Sequence, residues 1–311
     1  MLRPYSSRVE AIRVSASLFV VYCHGAKSGM RQELIDVVRS GLADRYRVER
    51  FLGRGGMATV FLAEDVSGKQ VALKVLNRSL ATRIMRERFQ REVAVGGSLE
   101  HPNIVPTFSG GEVEDMPFLV MPYLPGDSLR QRLEKTERLD VTEAVAIGRE
   151  IADALVCAHS GGIIHRDIKP DNILFSKGHA MVTDFGVAVA IKASMDDRLT
   201  APGEVLGTPT YMSPEQAMGR YRLDARTDIY SLGCVIYEML IGVPPFRPSH
   251  PDAVIVRLLD DPAPSVGEQR PEIPKRIDVA IRKALEWKPE DRFATAEKFR
   301  DELTVGGGGT Q

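Results

Sequence analysis

Only three cysteines occur among the 311 residues, Cys23, Cys157 and Cys234, and they lie far apart in apolar surroundings. No C-x-x-C pair is present, so neither a disulfide framework nor a zinc site is expected, and the thiols fit a reducing cytosol. Long apolar runs are also missing: none reaches the roughly 18 to 20 residues that span a bilayer. Nor is there an excess of one charge, since 41 basic and 42 acidic residues leave a formal net charge of -1. Nothing of that kind draws the protein as a whole onto nucleic acid or anionic lipid. There is no internal repeat. What is present, 43% hydrophobic and 27% charged residues, is the profile of a soluble globular chain with room for one large domain or two lobes.

Against that background the polar run His165-Arg166-Asp167-Ile168-Lys169-Pro170-Asp171-Asn172 stands out, set between the apolar pairs Ile163-Ile164 and Ile173-Leu174. Gly, Asn and Ser are the usual filling of a connecting loop. Two acids, two bases and an amide between aliphatic anchors point to chemistry. Further on, Val182-Thr183-Asp184-Phe185-Gly186 presents another carboxylate after another short apolar stretch. Asp167, Asn172 and Asp184 offer oxygens suited to a hard divalent cation, and Lys169 a compact positive charge.

Periodicity divides the chain. Residues Tyr46 to Leu62 read as strand, glycine-rich turn and strand; Val71 to Leu76 reads as a strand containing one lysine. Met85, Phe89 and Val93 recur at helical spacing, and further strands are expected at Ile104 to Phe108 and Phe118 to Met121. After Pro125-Gly126-Asp127 the period becomes helical. Asp140 with Glu143 resembles a capping box, followed by Ile147, Ile151 and Leu155 on one face and a stop at Gly161. Asp228 to Leu240 is apolar almost all round and should lie at the centre of its lobe. Helical stretches at Ala253 to Leu259, Ile277 to Leu285 and Ala294 to Leu303 complete a mainly α region, before a Gly306-Gly307-Gly308-Gly309 tail of linker composition. Val14 to Cys23, preceded by Arg3, Arg8 and Arg13, has the look of a signal peptide. Because the sequence after Met30 leads directly into the domain, residues 1–29 are read instead as an extension, either poorly ordered or not translated.

The glycine turn alone is ambiguous. Glycines let backbone N–H groups approach phosphate oxygens closely, but Gly53, Gly55 and Ala58 also fit the dinucleotide fingerprint of a nicotinamide-dependent oxidoreductase. That fingerprint requires a helix directly after the turn and an acid about 20 residues on. Here a strand follows, and the corresponding region holds Leu73-Lys74. Lys74, among aliphatics one hairpin after the turn, is placed to hold a phosphate oxygen, with Glu92 as the carboxylate that steadies it.

Taken in order, the Gly53 turn, Val71-Ala72-Leu73-Lys74, Glu92, His165-Arg166-Asp167, Asn172, Asp184-Phe185-Gly186 and Ser213-Pro214-Glu215 resemble the eukaryotic-like protein kinase family, and within it the bacterial serine/threonine kinases. Asp228 and Arg292 match two further structural positions, and the resemblance covers about residues 45 to 303. It implies an α+β, two-lobed kinase-like fold: a small antiparallel sheet with one main helix over about 45–124, and a larger mainly α lobe over about 125–303. Residues 1–44 are then an extension, partly poorly ordered, and 304–311 a tail.

The resemblance also implies roles. Asp167 would orient the substrate hydroxyl and accept its proton, Lys169 would steady the γ-phosphate of ATP, and Thr208 would support both. Asn172 and Asp184 would hold Mg2+, with Mn2+ as the alternative ion, and Lys74 fixed by Glu92 would grip the α and β phosphates. The nucleotide would lie under Leu52, Gly53, Arg54, Gly55, Gly56, Met57, Ala58, Thr59 and Val60. It would rest against Ala72 and the hinge Met121, Tyr123 and Leu124, with Asp127 at the ribose. Pro122 removes one hinge N–H, and Ala58 stands where the family has its third loop glycine. Glu215 with Arg292 would form a buried ion pair. Arg166 would pair with a phosphate on Thr200, ahead of Ser194 and Thr210 as candidates. The implied partners are proteins carrying Ser or Thr and a second copy of the kinase for autophosphorylation, with no nucleic acid and no membrane span, in the cytoplasm. The competing class is a pseudokinase that binds nucleotide without turnover; the presence of Lys74, Asp167, Asn172 and Asp184 argues against it.

Overall fold

The computed structural model describes residues 32–55, 58–78, 89, 93, 97–185, 209–219, 223–246 and 263–305. Five strands form one antiparallel sheet in the order β1-β2-β3-β5-β4: β1 Tyr46–Arg54, β2 Ala58–Asp65, β3 Gln70–Leu76, β4 Ser109–Val113 and β5 Met116–Pro122. The glycine turn is therefore a hairpin, Gly55 N–H bonding Ala58 O at 2.9 Å. A strand follows it and not a helix, which removes the dinucleotide alternative.

Alternation along the strands sorts side chains between two faces. Val71, Leu73 and Val75 of β3 join Phe61, Ala63, Phe118 and Val120 in one apolar layer. Ala72 joins Leu119 and Met121 in the other, which Met181 of the second lobe also lines. Lys74 has the parity of Ala72, so the period of two turns it toward the second lobe.

The first layer is covered by a helix, α1, over residues 32–41. Ile35, Val38 and Leu42 are buried in the same cluster as Val48, Phe61, Val113 and Phe118. The boundary expected at residue 45 thus leaves out an element that belongs to the core of the first lobe. The strand expected at Ile104 to Phe108 is also displaced. Ile104 makes only an isolated parallel bridge to Val182, and the strand that pairs with β5 is β4. Propensity misleads there because β4 needs small residues: a Cβ on Gly111 would sit 3.1 Å from the Phe118 ring, and one on Gly110 2.7 Å from Val93 Cγ2.

The second lobe is mainly helical. Its described helices are α2 Leu129–Thr136, α3 Val141–Ser160, α4 Pro214–Ala217, α5 Arg226–Ile241, α6 Val266–Gln269, α7 Lys275–Ala284 and α8 Ala296–Glu302. Asp140 caps α3 by accepting from Thr142 N at 2.8 Å, but the reciprocal half of the expected capping box is missing because Glu143 pairs with Arg132. Helix α2, opened by a Ser128–Gln131 capping box, was not expected. As its composition requires, α5 lies at the centre, with Ile229, Leu232, Cys234, Val235, Ile236, Met239 and Leu240 fully enclosed, and it stops at Gly242 in the left-handed conformation. The expected helices at Met85 to Val93 and Ala253 to Leu259 lie largely or wholly outside the described residues. A two-stranded ribbon, β6 Ile173–Ser176 and β7 His179–Val182, packs on α2 and α3 with Ile173, Ala180 and Val182 fully buried, and the polar runs flank it.

Candidate active site

The loop from His165 to Asn172 is held from beneath by one carboxylate. Asp228 of α5, fully buried, accepts from His165 N at 2.8 Å and Arg166 N at 2.7 Å, while His159 Nε2 lies 2.8 Å from the same group. These bonds fix Arg166 in a left-handed conformation, φ 66°. A side-chain-bearing residue adopts that conformation only when its surroundings over-determine it. Gln216 Nε2, on α4, completes the restraint by donating to Arg166 O at 2.8 Å.

His165 is fully buried and links this loop to the next one. Its Nδ1 accepts from Asp167 N at 3.2 Å, and its Nε2 lies 2.9 Å from Thr183 O. The tautomer with hydrogen on Nε2 satisfies both contacts. Phe185 packs edge-on against the ring at 4.6 Å.

With the backbone held this way, Asp167, Lys169 and Asn172 converge. Lys169 Nζ lies 2.7 Å from Asp167 Oδ2, and Asn172 Nδ2 donates to Asp167 O at 2.8 Å and to Oδ2 at 3.0 Å. The Asn172 amide nitrogen is thereby occupied, which leaves its oxygen as the acceptor. Asp167 is 43% exposed, open to an incoming group. On the facing side Asp184, also left-handed at φ 69°, pairs with Lys74 Nζ at 2.5 Å. Burial works against the Asp184 charge, but Lys74, with Lys169 as a further cation, outweighs it and holds the carboxyl below its ordinary 3.8.

The other residues marked by sequence fall around this centre. Leu52, Val60 and Leu124 pack with Ala72 and Met121 on the sheet face that carries Lys74. Gly53 pairs with Val60 and Arg54 with Thr59 across the hairpin. Tyr123 follows β5 and accepts from Arg50 at 3.4 Å, and Asp127 is exposed and paired with Lys135. Gly56, Met57, Glu92, Ser194, Thr200 and Thr208 lie outside the described residues, so the expected Lys74–Glu92 pair does too. Among the described residues Arg166 Nε is buried without a partner. Glu215 and Arg292 form the expected buried pair, with contacts of 2.8 and 2.9 Å.

Sequence reasoning missed a second network. Arg130 of α2 reaches Glu238 Oε1 at 2.9 Å and Tyr211 Oη, and lies 3.7 Å from Asp171 Oδ2. The Tyr211 hydroxyl in turn donates to Glu238; burial and that neighbouring carboxylate push its pKa well up. A capping box at Ser128 was the only local signal for the helix that carries Arg130.

A family model described as protein kinase domain matches residues 46–303. The chain is similar to serine/threonine-protein kinase PknB of Mycolicibacterium smegmatis, 40% identical over 270 residues, covering 84% of this chain and 43% of that protein. It is also similar to serine/threonine-protein kinase PknH of Mycobacterium bovis, 39% over 254 residues, 81% of this chain and 42% of that one. The probable serine/threonine-protein kinase PknB of Corynebacterium glutamicum is 38% identical over 273 residues, 84% and 42% of the two chains. The chain thus spans less than half the length of these curated relatives.

Proposed function

Because this chain belongs to the protein kinase family, we propose that it transfers the γ-phosphoryl group of ATP to serine and threonine hydroxyls of proteins. The observation that carries the reading is the Asp167 carboxylate, exposed on one side and held on the other by Lys169 and Asn172, facing the Lys74–Asp184 pair. Phosphoryl transfer asks a protein for positioning and charge and for little covalent chemistry, and this cluster supplies both. Asp167 orients the acceptor hydroxyl and takes its proton as the new O–P bond forms. The bridging P–O bond breaks and ADP leaves. Lys169 offsets charge on the γ-phosphoryl oxygens, and Lys74 holds the α and β phosphates beneath the glycine hairpin.

The donor set suits a divalent ion bound together with phosphates. Among the described residues no group of three or more His, Cys, Asp or Glu can hold a metal alone, whereas the Asn172 amide oxygen and the Asp184 carboxylate give the one or two protein oxygens that Mg2+ takes when phosphates complete its shell. When bound, the ion neutralises phosphate charge. Mg2+ is the ion proposed, with Mn2+ as a substitute. ADP production in the presence of protein acceptors is expected to fall to background with excess EDTA and to return with Mg2+; a rate indifferent to EDTA would contradict the assignment.

Control is assigned to the segment between Asp184 and Glu215. The buried, unpartnered Nε of Arg166 supports a role in holding an anion there, and Thr200 is the proposed site, phosphorylated by a second copy of the kinase. Thr200→Ala is expected to lower the rate about tenfold or more, in line with an ordering effect worth ~1–3 kcal/mol. An undiminished rate removes the claim. Among the described residues no helix is long and apolar enough to cross a membrane; a cytoplasmic site of action is the proposal that fits the use of ATP. Nothing favours nucleotide binding without turnover.

A further inference from the structure

The kinase match begins at residue 46, yet α1 ahead of it touches the strand that carries the glycine hairpin. Arg39 donates from Nε to Val48 O at 3.0 Å and from Nη2 to Glu49 O at 2.8 Å. These carbonyls belong to β1, an edge strand with no neighbouring strand on its outer side among the described residues. They also sit at the first of two bulges in β1, the second falling between Phe51 and Gly53. Val48 pairs with Ala63 and Arg50 with Leu62, so Glu49 has no partner on β2.

The bulge sets which side chains face the nucleotide. In a regular strand Val48 and Phe51, three residues apart, would point to opposite faces. Here both pack in the layer under α1, because the extra residue shifts the phase. Leu52 then falls on the face shared with Ala72 and Met121. Without the shift Leu52 would turn away from that face. A planar guanidinium with two near-parallel donors on its Nε/Nη2 edge matches two successive carbonyls of such a bulge. The helix is itself anchored: Val38 and Leu42 are fully buried, and a Cβ on Gly41 would lie 2.4 Å from Val113 Cγ2. Asp36, 3.8 Å from Arg39 Nη1, lies on the same side of the helix.

We propose that Arg39 is a positioning residue for ATP: it locks the first β1 bulge, and through it the phase that delivers Leu52, at the foot of the glycine hairpin, to the nucleotide. The effect on ATP rests on the phosphoryl-transfer reading, but the effect on β1 does not. Both are measured on the full chain. In Arg39→Ala, backbone amides of residues 49–55 are expected to exchange hydrogen about threefold faster in the absence of nucleotide, while those of α5 are unchanged. Arg39 is 43% exposed, so water takes over part of its work and the effect stays near threefold, below the tenfold or more of a buried charged contact. KM for ATP is expected to rise by about the same factor with kcat within about twofold, because the uniform binding of the nucleotide is what weakens. Arg39→Lys keeps the charge but not the fork, and should lie between the two. Unchanged exchange in 49–55 overturns the proposal, as does exchange that rises equally in α5, which would mark a merely structural residue. If no variant or wild-type protein transfers phosphate, the kinase reading fails while the exchange result still decides the clamp.

Discussion

Asp167→Asn is expected to lower kcat about a thousandfold, within the range of a lost general base, while leaving KM for ATP and the fold in place. Two features separate these effects. Asp167 is 43% exposed and contributes no packing that asparagine would lose, and an asparagine oxygen can still accept from Lys169 or Asn172. Stability should therefore stay within ~1 kcal/mol. Nucleotide binding, in this account, belongs to Lys74, Asp184 and the glycine hairpin, none of which the substitution touches. What asparagine cannot do is take the hydroxyl proton. Steady-state kinetics together with a nucleotide titration check both halves. A variant that loses ATP binding along with turnover would mean that Asp167 is structural.

Arg292→Leu acts on the fold. Arg292 is completely buried and Glu215 5% exposed. The guanidinium holds both Glu215 oxygens, donates to the carbonyls of Glu286 at 2.7 Å, Trp287 at 2.9 Å and Arg226 at 3.1 Å, and lies over the Tyr230 ring at 4.8 Å. Removing one partner of such a pair leaves an uncompensated charge and typically costs about 3–5 kcal/mol, or roughly 10 °C in Tm for a domain of this size. The pH dependence carries the mechanism. In the wild type burial would raise the Glu215 pKa, but Arg292 outweighs it and holds the carboxyl below 4.5. A depressed folded-state pKa gives stability that is present above the unfolded value and lost as pH falls through the folded one. In Arg292→Leu only a backbone N–H and the Thr227 hydroxyl still oppose burial, the largest influence, so the carboxyl is raised and protonation relieves the penalty. The gap in Tm between the two proteins should narrow on acidification from neutral pH toward pH 5. A shift below about 3 °C, or a gap that ignores pH, would contradict the account.

How much of this was legible in the sequence depended on what each feature is made of. Lys74 could be read because a strand's period of two assigns a face once its neighbours are apolar, and β3 has the expected alternation. The polar loop was visible through side chains that have no reason to stand between aliphatic pairs. Asp228 was visible as an acid on an otherwise apolar helix, but its work was not, since its partners are the backbone N–H groups of His165 and Arg166, and backbone amides leave no mark in a sequence. The 3-and-4 spacing of Ile35, Val38 and Leu42 is a helical signal, but spacing does not say what the helix covers. Strand β4 hid behind glycines whose use is to let Phe118 and Val93 come close.

The central claim is that this chain itself moves the γ-phosphoryl group onto Ser and Thr hydroxyls through Asp167. Wild type and Asp167→Asn, purified identically, are incubated with γ-labelled ATP, Mg2+ and a protein acceptor, and the labelled acceptor is hydrolysed to its phosphoamino acids. The account predicts phosphoserine and phosphothreonine from the wild type and a signal about a thousandfold slower from the variant. Equal labelling by the two proteins, or label recovered as phosphotyrosine, would contradict it.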